Sequence, residues 1–289
     1  MKKFLITGIV LAVQWNCSPP PGLRAEGAEL QEVSSEFSFT EGPATAENGD
    51  VYFTDQPNNR IHRWDAETNR IEVFMEPAGR ANGLYWDREG RLLAAADAHF
   101  QLWRIHEPDS VEILADGYKG KNFNGPNDIW VHPRGWIYFT DPYYQRPYWE
   151  RTKKDIEQEQ VYFMENGNAP VRLAAAGLVQ PNGIIGTADG NYLYVADIGD
   201  NKTYRYTIAA DGSLGERTLA APMGSDGMTL DARGNLYLTG DGVHIFSPEG
   251  LLLEQIEIPK DWTANITFGG RENKTLFITA MDAVYTLEM

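Results

Sequence analysis

Six short segments of the chain open on a side chain that carries oxygen: Glu41-Gly-Pro, Asn82-Gly-Leu, Asn127-Asp-Ile, Asn182-Gly-Ile, Asp226-Gly-Met and Asn265-Ile-Thr. Carboxylates and carboxamides are donors for hard cations, and Ca²⁺ takes roughly six to eight oxygen ligands in a tolerant geometry. Glu41, Asn127, Asn182 and Asp226 together offer two charged and two neutral groups, with room in the shell for water or substrate. Any one Asn-Gly or Asp-Gly reads equally well as a turn. It is the recurrence, with a Glu and an Asp among the six, that points to a metal site. Nothing in the chain suits a thiolate or imidazole centre: there is one cysteine, and the five histidines form no HExxH-type pair. The expectation is one divalent cation, Ca²⁺ first, with Mg²⁺, Mn²⁺ or Zn²⁺ as alternatives.

The elements that would bring these residues together follow from their spacing. Successive segments are 41, 45, 55, 44 and 39 residues apart. Each precedes a β-branched and aromatic run: VYFTD, RLLAAAD, WIYFTD, YLYVAD, NLYLTG or TLFITA. A period near forty with about four short strands per repeat is a propeller blade. The innermost strand of every blade faces the axis, so residues at its start converge on one point. The chain therefore reads as an all-β, six-bladed β-propeller, a single domain over 29–289. The sixth repeat ends one strand short at Met289, while Glu29–Phe39 has no blade of its own. We expect that segment to supply the outer strand of blade six and close the ring, which removes the open edges of a linear array. Blade three carries an insertion, DPYYQRPYWERTKKDIEQEQ, before VYFMEN resumes. Its place between the second and third strands puts it over the mouth that the six segments approach. Tyr143, Tyr144, Tyr148 and Trp149 are candidates there for a pocket wall or lid, or for rim packing.

Composition limits the partners. Forty-one acidic against 25 basic residues give a formal charge of −16, which repels nucleic acid and concentrates cations. Lys2 and Lys3 precede an apolar run, Phe4 to Val13, too short to span a bilayer but suited to the core of a signal peptide. Residues 1–25 are expected to be a signal peptide and spacer cut near Ala25, making the protein periplasmic or secreted. Lipidation of Cys17 is the lesser alternative, because Trp15 and Asn16 before it suit that processing poorly. Removal of the leader would take the single cysteine with it and leave no disulfide chemistry.

The motifs EGP at Glu41, NGPNDI with WIYFTDP, QPNGI with YLYVAD, SDGM at Asp226 and FGGRENKTLFIT occur in this order from about residue 36 to 286. In that combination the chain resembles the gluconolactonase, senescence-marker-protein and luciferin-regenerating-enzyme family of calcium-dependent six-bladed propellers. The resemblance implies a lactonase. It gives Glu41, Asn127, Asn182 and Asp226 as the metal ligands and Asp226 also as general acid/base or nucleophile. Asn82 and Asn265 share the repeat position without being carried over. Such chemistry is coherent: lactone opening passes through an oxyanion that a bound cation stabilises, and a carboxylate beside it moves the proton. A second set of acids ends the second strands, namely Asp55, Asp97, Asp141 and Asp197. Asp197, with Asn201 beside it, is the preferred binder of sugar hydroxyls, joined by Tyr143 and Tyr144 as substrate-binding candidates. The other three acids read as loop caps. The rival functions are an organophosphate or aryl-ester hydrolase on the same site and a non-enzymatic propeller binding module. The expected partner is a small lactone.

Overall fold

The computed structural model describes residues 22–289; residues 1–21 of the expected leader, Cys17 among them, lie outside the described residues. Six four-stranded antiparallel sheets make up nearly all of it. Blade one is β2 (Thr40–Thr45), β3 (Val51–Asp55), β4 (Arg60–Asp65) and β5 (Arg70–Met75). Blade two is β6 (Ala81–Trp86), β7 (Leu92–Ala96), β8 (Gln101–Glu107) and β9 (Ser110–Ala115), with a 3₁₀ turn at Asp97–His99. Blade three is β10 (Ile129–Val131), β11 (Ile137–Asp141), β12 (Gln160–Met164) and β13 (Arg172–Ala175). Blade four is β14 (Pro181–Gly186), β15 (Tyr192–Asp197), β16 (Lys202–Thr207) and β17 (Thr218–Ala221). Blade five is β18 (Met228–Leu230), β19 (Leu236–Gly240), β20 (Gly242–Phe246) and β21 (Leu252–Ile256). Blade six is β22 (Asn265–Gly269), β23 (Thr275–Ala280) and β24 (Ala283–Glu288), completed on its outside by β1 (Gln31–Ser34). Gln31 pairs with Thr286 and Glu32 with Tyr285, so the ring is closed by the N-terminal strand as expected. No helix among the described residues is long and apolar enough to cross a membrane.

The strands are held by what lies between blades. The middle strands are buried on both faces, as β7, β11 and β12 show along their whole length. Their side chains interdigitate with the next blade: Leu93, Leu102, Ile129, Phe139 and Tyr162 form one such seam between blades two and three. Val51, Phe53, Trp64, Phe277 and Val284 form the seam between blades one and six, with Phe37 packed against it from the closing segment. A buried aromatic or aliphatic side chain contributes about 1.5–3 kcal/mol, so the seams fix the angle between blades. The outermost strands are mostly exposed, as in β5 and β9.

One backbone irregularity matters for function. In β2 the ladder goes from Glu41–Thr54 to Ala44–Tyr52, so one strand carries an extra residue. The same bulge occurs between Ala81 and Leu84 and between Pro181 and Ile184. A bulge re-aims side chains out of the regular alternation, and these three lie where the innermost strands begin.

Candidate active site

The starts of the innermost strands meet at one mouth of the axis. Glu41, Asn82, Asn127 and Asn182 are buried there, and Asp226 is half-buried. Asn182 links two blades: its Nδ2 donates to Asp226 Oδ1 at 2.8 Å and to the Tyr144 hydroxyl at 2.9 Å. Trp262 Nε1 donates to the other oxygen of Asp226, Oδ2, at 2.6 Å. Glu41 Oε2 accepts from Gly42 N at 3.0 Å and from Asn265 Nδ2 at 3.4 Å. The Asn127 backbone accepts from Gly83 N and donates to Thr140 O, and its side chain hydrogen-bonds no described residue.

Blade six departs from the expected register. Asn265 N donates to Thr279 Oγ1 at 3.0 Å, as Asp128 N does to Thr140 Oγ1 at 3.1 Å and Gly227 N to Thr239 Oγ1 at 2.9 Å. The Ala264 carbonyl accepts from Thr239 Oγ1, as the Asn182 carbonyl accepts from Thr140 Oγ1 and that of Asn82 from Thr54 Oγ1. Ala264 therefore occupies the ring position in blade six, and Asn265 stands one residue further on. The sequence alignment of the six segments was out by one there, because an alanine gave it nothing to align.

Asn265 belongs to a second tier whose other side chain is Asp128, which sequence reasoning passed over beside Asn127. The same place is glycine in the other four blades, at 42, 83, 183 and 227. All four glycines are crowded, two of them by the tier's own side chains: a Cβ on Gly83 would lie 2.6 Å from Asp128 Oδ1, and one on Gly227 would lie 2.0 Å from the Asn265 amide. An Asp where four repeats have Gly was the available signal. Asp128 Oδ1 accepts from Ile129 N at 3.0 Å and Oδ2 from Ile184 N at 3.4 Å.

Three carboxyls thus crowd the axis, and all are hard to ionise. Burial first, then the Asp226 charge, raises Glu41 well above its ordinary value. Burial pushes Asp128 up to about 7, with Asp226 adding to it. Burial raises Asp226 to about 6, opposed by the Trp262 and Asn182 hydrogen bonds and the Arg146 guanidinium. Buried like charges without a matching cation are costly, and a divalent ion among Glu41, Asn127, Asn182 and Asp226 would remove that cost. The donors are all oxygen, which suits Ca²⁺ or Mg²⁺ over softer metals. Among the described residues no trio of His, Cys, Asp or Glu is arranged to hold a metal; the set depends on its two carboxamides.

The second-strand acids behave differently from the ring. Asp55 accepts from Ser38 N and Phe39 N, Asp141 from Asn124 N and Gly125 N, and Asp197 from Val179 N and Gln180 N. Asn201 Oδ1 accepts from Gly224 N at 3.1 Å. Asp197 and Asn201, the expected binders of sugar hydroxyls, thus hold backbone N–H groups that lead into the first strands. Asp97 was expected to be a cap and is not. Asn59 caps that loop, accepting from Ala78 N and Arg80 N. Asp97 instead accepts from the Tyr148 hydroxyl and faces Arg146 Nε at 3.5 Å, and burial raises it to about 6.

The blade-three insertion is anchored as a wall. Trp149 is buried with Nε1 on the Asp97 carbonyl, and Arg151 donates to the carbonyls of Phe123 and Asn124 while lying 3.6 Å from the centre of the Phe100 ring. Tyr144 reaches the ring through Asn182, and burial with the Asp226 charge raises its hydroxyl. Tyr143 does not reach the ring: its hydroxyl bonds Gln145 and its ring packs beside Trp149. A cavity of about 750 Å³ opens at the opposite mouth, lined by Trp86, Trp130, His132, Ile185 and Phe268 where the innermost strands end. None of the ring side chains lines it.

The profile of the SMP-30/gluconolactonase/LRE-like region matches residues 39–282. The chain belongs to that family. It is 28% identical over 283 residues to a gluconolactonase of Zymomonas mobilis, covering 87% of this chain and 78% of that one. A solved gluconolactonase of Xanthomonas campestris superposes with a TM-score of 0.85 at 27% identity, over 92% of this chain and 91% of the other. A calcium-binding regucalcin of Agrobacterium tumefaciens superposes at 0.74 with 18% identity, over 90% and 93%, a likeness of fold.

Proposed function

We propose that the protein is a metal-dependent hydrolase that opens a sugar lactone. The observation that carries this reading is the cross-blade cluster of Glu41, Asn182 and Asp226, desolvated at one mouth and bordered by Tyr144. Membership of the family and the likeness to two gluconolactonases support the substrate class. Glu41, Asn127, Asn182 and Asp226 would hold the cation, with Ca²⁺ the best match to an all-oxygen donor set. When bound, it supplies Lewis-acid polarisation of the lactone carbonyl. Asp226, at the edge of the cluster, takes the proton of the attacking water and returns it to the ring oxygen that leaves, a role whose assistance is worth ~10²–10⁴-fold. Tyr144 and the anchored insertion form the wall against which the sugar ring lies. A binding module has no use for ionisable acids desolvated on its axis, so the enzyme reading is preferred. The test is a set of initial rates on aldonolactones, aryl esters and phosphotriesters, with and without chelator. Lactone opening that chelator abolishes and CaCl₂ restores is expected. Full activity in protein shown by elemental analysis to be metal-free would end the metal assignment, and activity confined to esters or phosphotriesters would replace the substrate class.

A further inference from the structure

Trp262 reaches the site from outside the innermost strands. It lies in the connection between β21 and β22, pinned by Thr263 N on the Gly240 carbonyl at 2.7 Å and by Ala264 N on Thr279 O at 2.9 Å. Gly240 ends the second strand of blade five, where blades one, three and four place a capping Asp. Met223 and the rim of the indole border that corner instead: a Cβ on Gly240 would lie 3.5 Å from Met223 Cε and 3.8 Å from Cη2 of Trp262. Blade five has exchanged an acid that holds its own backbone for an indole that holds a ring residue. Trp262 is also the one indole, among the described residues, whose N–H donates to a carboxylate.

We propose that Trp262 is a positioning residue for Asp226: its N–H holds Oδ2 and fixes the carboxylate plane, so that Oδ1, on the Asn182 side, is the oxygen presented to cation and substrate. The inference rests on the role given to Asp226 above. The torsion of a carboxylate is broad and two-fold, so nothing intrinsic to Asp226 selects one oxygen. The contact at 2.6 Å is short even for a charge-assisted N–H···O bond. Tyr144 does not serve this purpose, because its hydroxyl meets Asn182 and not Asp226. Trp262→Phe keeps an aromatic ring in that place without a donor, which separates positioning from packing.

The experiment uses the full chain and two variants, Trp262→Phe and Trp262→Ala. In ¹H–¹⁵N spectra of chelated protein, the Trp262 indole resonance, identified by its loss in Trp262→Phe, is expected downfield of the other indoles and should move on titration with CaCl₂. Trp262→Phe is expected to lower kcat about tenfold, the effect of ~1.4 kcal/mol at the transition state, with KM and melting temperature unchanged. Trp262→Ala should show the same fall in kcat and a lower melting temperature, because the packing of the indole goes too. Unchanged kcat in Trp262→Phe of an active enzyme would overturn the proposal. So would an indole resonance indifferent to CaCl₂ in protein that binds calcium by calorimetry. If the wild type opens no lactone, the functional reading fails separately, and the indole titration still decides whether Trp262 holds Asp226.

Discussion

Two sets of acids approach the same mouth, and the difference between them lies in what each can reach. Asp55, Asp141 and Asp197 find two backbone N–H groups of the chain leading into their own blade, and their oxygens are used up there. Glu41 and Asp226 sit at the starts of innermost strands and meet side chains from other blades: Asn265, Asn182 and Trp262. The first set builds loops. The second holds desolvated carboxyls on the axis that are hard to ionise, and such groups are what a cation or a proton transfer can use. Asp97 shows how narrow the margin is. With its capping place taken by Asn59, the same residue type turns to Tyr148 and Arg146.

The largest effect that would test this division is expected at Asp226. Asp226→Asn keeps the size and one acceptor oxygen but loses the charge and the basicity. Lactone turnover should fall by ~10²–10⁴-fold, with a smaller loss of calcium affinity. The measurement is pH-stat hydrolysis beside a calcium titration. Near-normal turnover would remove Asp226 from the mechanism and leave the two sets of acids chemically alike.

The capping set should fail in the opposite way. Asp197→Ala strips the acceptor from Val179 N and Gln180 N, and an orphaned buried donor costs about 1–3 kcal/mol. The expected result is a lower melting temperature with kcat/KM per folded molecule almost unchanged. Loss of activity without loss of stability would return Asp197 to the substrate, where the sequence had placed it.

How much of this was legible beforehand follows from the same contrast. The blades, the ring closure and the convergence of Glu41, Asn82, Asn127, Asn182 and Asp226 were carried by period and polarity, and the choice of four of them as ligands came from the family resemblance. Whether Asp197 caps a loop or binds a sugar depends on where two N–H groups eighteen and seventeen residues away come to lie, and spacing does not encode that. The same is true of Trp262, which meets Asp226 across 36 residues. Ala264 was invisible for another reason: it fills a ring position without a polar atom.

A pH experiment sharpens the comparison without mutation. A carboxyl raised by burial holds its proton more tightly in the folded state than in the unfolded chain, so the fold is favoured at low pH and loses stability as pH rises. For Asp226, at about 6, and Asp128, at about 7, that loss falls between pH about 4 and 7. A cation at the axis competes with those protons. The gap in melting temperature between CaCl₂-loaded and chelated protein should therefore widen from pH 4 to pH 7. Asp97 and Asp141 are raised too, and His62 and His132 are lowered by burial, but these act alike in both arms. A gap independent of pH would place the cation away from these carboxyls.

The smallest effect is expected at Asn82, and it decides how selective the ring is. Asn82 shares the ring position with Asn127 and Asn182 and is equally buried, yet the family resemblance does not carry it over as a metal ligand and no described side chain bonds its amide. Its carbonyl has a structural task, accepting from Thr54 Oγ1 at 3.0 Å, and Asn82→Ala leaves that carbonyl in place. Turnover and calcium affinity should both change by less than about threefold, against the large fall at Asp226. A loss in calcium affinity comparable to that of Asn127→Ala would make the coordinating set a five-residue arc rather than the four residues named here. Unchanged affinity with a raised KM would instead make Asn82 the hydrogen-bonding partner of the sugar on the blade-two side.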